Sequence, residues 1–181
     1  SPISLLFAGA SVHYLAAQSR ESLLAADLGD PVLGRRDIFL LQAPTDLVTA
    51  MALAVWAVER GEVNVRAWPM QLGGRPLRWT RIDERTFDLE TLGKPFLTRM
   101  FENVFLTSND APPVARTWQT ALFTVEAMDS GPAGFMRFRV RCPAALEDPH
   151  YRFMWVDGSG RLAPANPPSV GETLDIPAVA A

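Results

Sequence analysis

The chain is poor in the residues that most often carry chemistry. It has 1 cysteine and 2 histidines in 181 residues, and of its 17 basic residues only Lys94 is a lysine. A single cysteine excludes an internal disulfide and a multi-cysteine metal centre. Cys142 ends the alternating stretch Phe135-Met136-Arg137-Phe138-Arg139-Val140-Arg141-Cys142, so it is expected to be a buried structural thiol. His13 has apolar neighbours and is expected to be structural. His150 follows Glu147-Asp148-Pro149; a carboxylate beside an imidazole tunes it, but Asp-Pro is also ordinary turn chemistry. Neither histidine is expected to be catalytic or to bind metal.

Other absences narrow the field further. There is no apolar run of about 18 residues or more, so no segment is expected to span a bilayer. No charged segment precedes an apolar stretch at Ser1, so Ser1 is not expected to open a signal peptide. The chain starts at Ser1 without Met, as expected of a processed product or of a piece cut from a longer protein. The net charge of −3 gives no basic field for nucleic acid, and the preference for Arg over Lys reads as codon bias. There is no Gly-x-Gly-x-x-Gly, no Gly-x-x-x-x-Gly-Lys-Ser/Thr and no Gly-x-Ser-x-Gly. Gly158-Ser159-Gly160 lacks the spacing of a nucleophile elbow. No cofactor is expected. Asp83, Glu84 and Asp88 are the nearest approach to a carboxylate cluster, and they read as a solvated hairpin tip.

What is present is a soluble-protein composition, 48% hydrophobic and 20% charged, with a clear secondary-structure pattern. Residues 1–28 read as a helix, apolar at its start and amphipathic later, with Arg20 its only basic residue and Gly29-Asp30-Pro31 as its stop. Residues 37–41 are an apolar run without alternation, expected of a strand covered on both faces. Pro44 ends it. Thr45 or Asp46 then caps a helix running to Arg60, closed by Gly61. A second strand at 63–68 completes a βαβ unit, with parallel pairing as the default.

Beyond Gly73-Gly74 the pattern turns to β. Residues 77–82 and 86–90 flank the turn Asp83-Glu84-Arg85 as a hairpin, with Phe87 and Leu89 on one face. Phe96, Leu97, Met100, Phe101, Val104 and Phe105 suggest a short helix over 95–106. Strands follow at 121–128, 135–142 and 151–156, and in the second of these Arg137, Arg139 and Arg141 share a face. The proline-bearing tail from Pro164 is expected to lie extended over the surface and to fray at its end. The five tryptophans are expected to be core anchors. The expected fold is therefore α/β: an N-terminal helix over 1–30, a βαβ unit with a hairpin and short helix over 31–110, and a β-rich half over 111–181.

Ligand crevices in open α/β sheets form at the carboxyl ends of strands. Here that position is Gln42-Ala43-Pro44-Thr45-Asp46, which makes Gln42, Thr45 and Asp46 the candidate binding residues. A helix N-terminus there attracts an anion, although Asp46 opposes one and capping alone accounts for Thr45 and Asp46.

The order of these segments resembles the C-terminal soluble region of a group of bacterial multi-pass membrane proteins of unknown function. In that group the first strand ends in Asn-Ala-Pro, matched here by Ala43 and Pro44 with Gln42 in place of Asn. The hairpin is matched from Thr80 to Leu89, with Glu84 where Asp is usual. The ending is matched by Asp148, Pro149 and Trp155, then Pro167, Pro168, Val170, Gly171 and Glu172. The resemblance implies a domain that follows a membrane span, adjacent to the membrane through its N-terminus and extracytoplasmic (periplasmic). It supplies no catalytic residues. The function expected on this basis is a non-catalytic interaction or assembly domain, partnered by another protein or by its own membrane region. A small-molecule or lipid-binding module and a hydrolase using the Gln42–Asp46 crevice are the alternatives.

Overall fold

The computed structural model describes residues 35–42, 65–71, 74–96, 117–120, 122–131, 134–158 and 161–178. They form ten strands: β1 (Arg36–Leu40), β2 (Val65–Pro69), β3 (Leu77–Arg81), β4 (Thr86–Thr91), β5 (Thr117–Gln119), β6 (Thr124–Gly131), β7 (Gly134–Arg141), β8 (Tyr151–Val156), β9 (Leu162–Ala165) and β10 (Thr173–Ile176). The strands make two sheets, ordered β2-β1-β8-β9 and β10-β3-β4-β7-β6-β5. The chain divides into two compact units, one taking the described residues up to Gly74 and Pro149–Ala165, the other Arg75–Asp148 and the described residues from Asn166 onward.

This corrects the expected α/β fold. Strand accounts for 57% of the described residues and none is helical. The helices expected at 1–28 and 45–60, and the one expected at 95–106 beyond its first two residues, lie outside the described residues; Pro95 and Phe96 are not helical, and Phe96 bridges antiparallel to Phe135. The physical reason is that most described strands belong to the second unit, where period-2 alternation of charged and apolar residues specifies antiparallel sheet with one polar face.

In the first unit β1 lies between two parallel neighbours, β2 and β8. Its residues are all buried, which explains the run Ile38-Phe39-Leu40 without alternation: a strand covered on both faces has no side for water. Phe39 stacks on Phe153 at 5.0 Å and meets the edge of Tyr151 at 5.7 Å. Burying a side chain of this size contributes about 1.5–3 kcal/mol. The parallel ladder continues past the strand ends through Asp37 N–H to His150 O (2.7 Å), Leu41 N–H to Met154 O (2.9 Å) and Met70 N–H to Leu40 O (2.8 Å). β9 closes the sheet antiparallel to β8, across a turn in which Asp157 Oδ1 accepts from Arg161 N–H at 3.1 Å.

In the second unit every pairing is antiparallel. The hairpin read from sequence is present as β3–β4, and β6–β7 is a second one with a register irregularity at Asp129. Leu77, Trp79, Phe87, Leu89, Phe135 and Val140 are buried, and Trp79 meets Phe87 edge-on at 6.0 Å. Of the described tryptophans Trp79 is fully buried, whereas Trp68, Trp118 and Trp155 are only half-buried. Cys142 is buried, as its strand position predicts. The tail departs from expectation: Thr173–Ile176 is not a loose extension but the edge strand β10, paired with β3.

The turn into β10 rests on Gly171, which has φ +83 and no atom within 4 Å of where a Cβ would sit. Gly158 also has open space around that position, without the positive φ. Gly171→Ala is therefore expected to cost about 1 kcal/mol from backbone conformation alone, and Gly158→Ala close to nothing. Urea unfolding of both variants checks this; equal losses would refute the assignment of the cost to φ.

Candidate functional site

The carboxyl ends of the parallel strands come together in the first unit. Gln42 follows β1 and Gln71 follows β2, at 0% and 3% exposure. The ladder from Leu40 O to Met70 N–H at 2.8 Å brings these strand ends side by side, so the two carboxamides occupy equivalent places on adjacent strands. Sequence reasoning named Gln42 and missed Gln71, although Pro69-Met70-Gln71 repeats the strand-then-Gln pattern of Leu40-Leu41-Gln42. Thr45 and Asp46 lie outside the described residues.

At the opposite end of the same sheet a carboxylate is buried. Asp37 is 1% exposed. Its Oδ2 accepts from Arg35 Nε at 2.9 Å, and its Oδ1 from Arg66 Nε at 3.1 Å and Trp68 Nε1 at 3.0 Å. The guanidinium of Arg66 stands 5.8 Å from the centroid of the Trp68 ring. Period-2 spacing sets only Arg35, Asp37 and Phe39 on one side of the chain entering and forming β1; it is the register, pairing Asp37 with Arg66 and Phe39 with Trp68, that assembles the cluster. Sequence reasoning took Asp37 only as a strand start.

The second unit holds two further ionic constructions. Arg81, 6% exposed, forms a bidentate pair with Glu147, Nη2 to Oε2 at 2.9 Å and Nη1 to Oε1. It also donates to Asp83 O at 3.1 Å and Pro168 O at 3.2 Å. Its backbone N–H donates to Glu172 O (3.0 Å) and its carbonyl accepts from Gly171 N–H (2.9 Å). The side-chain bond from Arg81 holds the Glu147 carboxyl below the usual carboxylate range. Asp88 is the other case. It is 5% exposed and receives Arg139 through Nε (2.8 Å) and Nη2 (2.9 Å). That bond raises the Arg139 guanidinium above its ordinary value. Asp88 is thus a buried ion-pair member, not part of a solvated tip. Asp83 does sit at the exposed tip, where the Arg85 N–H (2.7 Å) lowers its pKa.

The Asp88–Arg139 pair belongs to cross-strand rows on one face of the six-stranded sheet, whereas Arg81 alternates onto the other face with Leu77 and Trp79. Register sets Asp175, Arg78, Glu90, Arg137 and Asp129 in one row, and Thr173, Thr80, Asp88, Arg139 and Glu126 in the next. Opposite charges directly across strands contribute about 0.2–1 kcal/mol per pair. At the β10 edge Arg78 donates to Asp175 at 2.9 and 3.2 Å, lowering the Asp175 pKa. His150 is exposed, and its carbonyl rather than its imidazole carries the contact to Asp37. Among the described residues no group of His, Cys, Asp and Glu gathers as metal ligands do, and no helix is long and apolar enough to cross a membrane.

Burial separates two otherwise similar Asp–Arg forks. Asp88→Ala removes a buried carboxylate and leaves the half-buried Arg139 guanidinium without its partner, and is expected to lower stability by about 1–2 kcal/mol. Asp175→Ala, at an exposed pair, is expected to cost measurably less; denaturant midpoints that coincide would refute the ranking. The Glu147 pair carries a pH signature. A carboxyl with a depressed folded pKa stabilises the fold above its unfolded pKa and loses that contribution as pH falls through the folded value. The stability gap between the native chain and Glu147→Gln is expected to be widest near neutrality and to close below the ordinary Glu range. A gap independent of pH would mean that the carboxylate charge is not what holds Arg81.

No protein-family model, curated protein or solved structure matches this chain.

Proposed function

We propose that the chain is a non-catalytic domain of a bacterial membrane-associated protein, with an interaction or assembly role and with the membrane on its N-terminal side. The observation that carries this reading is the convergence on Arg81. The hairpin from Thr80 to Leu89 and the ending with Pro168, Gly171 and Glu172 are the segments that resemble the soluble region of such proteins. In the second unit they meet through the Arg81 side chain and backbone. The shared residues thus work as architecture: they hold turns and a tail strand in place, which is what a scaffold or docking domain requires of its sequence. The domain is placed on the extracytoplasmic side, with a protein partner or its own membrane region as the surface it serves.

A second reading, a small-molecule-binding module, draws on Gln42 and Gln71 at the carboxyl edge of the parallel strands, a common position for ligands in parallel sheets. Candidate Thr45 and Asp46 belong to this reading.

The deciding experiment is a topology assay on the full-length gene product, with reporters of cytoplasmic and exported location fused after Ala181. Membrane retention with an exported reporter is the expected result. A native protein that fractionates as soluble, with nothing hydrophobic upstream of Ser1, sinks the membrane reading and leaves the carboxyl-edge reading to be pursued by thermal-shift screening of the native chain against Gln42→Ala.

A further inference from the structure

We propose that Arg35 and Arg66, flanking Asp37 on one face of the four-stranded sheet, form a binding site for a phosphate group. The site is separate from the carboxyl edge and does not depend on the membrane reading above.

An arginine offers five N–H groups in a planar fork. Arg35 and Arg66 each give only Nε to Asp37, at 2.9 and 3.1 Å. Among the described residues their terminal nitrogens make no further hydrogen bond, and Arg66 Nη2 is buried without an acceptor. A buried guanidinium nitrogen left in that state is costly unless an acceptor reaches it. The charge is likewise unbalanced: two cations share one carboxylate, so one positive charge is left over within the cluster. By contrast Arg81 and Arg139 each place two nitrogens on a single carboxylate and are saturated in that sense.

Exposure decides whether a ligand can arrive. Asp37 is covered, at 1%, while the Arg35 and Arg66 side chains are 44% and 36% exposed. The carboxylate therefore anchors the two forks through Nε, and each side chain keeps a solvent-facing part, although Arg66 Nη2 itself is covered. Trp68 fixes Arg66 further, donating to the same Oδ1 and lying 5.8 Å from its guanidinium. Pre-anchored guanidinium forks match the several acceptor oxygens of phosphate, which they bind in bidentate fashion. A phosphate ester in solution and the phosphate of a lipid headgroup present the same chemistry here.

The test uses the full chain. Inorganic phosphate is titrated calorimetrically at constant ionic strength against chloride, for the native protein, Arg35→Gln, Arg66→Gln and the control Arg78→Gln. Phosphatidylcholine vesicles with and without phosphatidylglycerol are cosedimented with the same proteins. The expected result is phosphate binding weakened about tenfold by Arg35→Gln, the loss of one charge-assisted bond, and unchanged by Arg78→Gln. Arg35-dependent sedimentation with the anionic vesicles supports the site with a headgroup as its source; Arg35-dependent binding of phosphate without sedimentation supports it with a soluble one. Arg66→Gln removes a bond to a buried carboxylate and is interpreted only if circular dichroism matches the native chain; the half-exposed Arg35 carries the test otherwise. Absence of both phosphate and vesicle binding, or equal binding by the native chain and Arg35→Gln, or equal loss in Arg78→Gln, overturns the proposal.

Discussion

A guanidinium taken out of water must find acceptors for its donors, and around Arg81 that requirement organises one end of the second unit. The side chain is almost wholly covered, so its bonds to Glu147, Asp83 O and Pro168 O replace lost hydration. Each acceptor belongs to a different segment: the β3–β4 turn, the loop after β7 and the chain leading to β10. The backbone of the same residue adds the bonds to Gly171 and Glu172 that start the β10 pairing. One strand-end residue thereby fixes where three loops lie, and the positive φ of Gly171 lets the chain turn into that arrangement.

The two units treat buried carboxylates differently. In the six-stranded sheet Asp88 meets one arginine fork; the row from Asp175 to Asp129 alternates in sign across five strands, and the next alternates across β4, β7 and β6. Such a face is close to neutral locally and suits contact with water. In the four-stranded sheet Asp37 meets two arginines and an indole, and the balance is positive. Arginine richness in composition did not distinguish these cases; register did, by deciding which side chains share a face and which partner each one finds.

The sequence made the hairpins legible because alternation and turn residues are local signals. Thr80 to Leu89, with Asp83 at the tip, and the alternating arginines of 137–141 needed no knowledge of distant residues. The role of β8 was not legible. Its pairing with β1 joins residues more than a hundred positions apart in sequence, and nothing in Tyr151–Val156 states whether its neighbour is parallel or antiparallel. The tail was misjudged for a related reason: its prolines suggested loose extension, while Thr173–Ile176 contains no proline and completes the sheet against β3. At the sites, Gln42 was found from a rule about strand ends, but Gln71 and the Asp37 cluster depended on the β1–β2 register, and the burial of Asp88 on its pairing with Arg139 in β7.

The position of β10 has a bearing on how the protein is made. A ribosome delivers β3 well before β10, and the Arg78–Asp175 contact spans 97 residues. Until Ile176 has left the exit tunnel, β3 stands at the edge of an incomplete sheet, with Trp79 and Arg81 lacking the strand that borders them. Long-range pairing of this kind closes slowly and leaves unpaired edges open in the meantime. The nascent chain therefore passes through a stage in which its hairpins have formed but its sheet is still open on one side, and that stage is where a chaperone would find it.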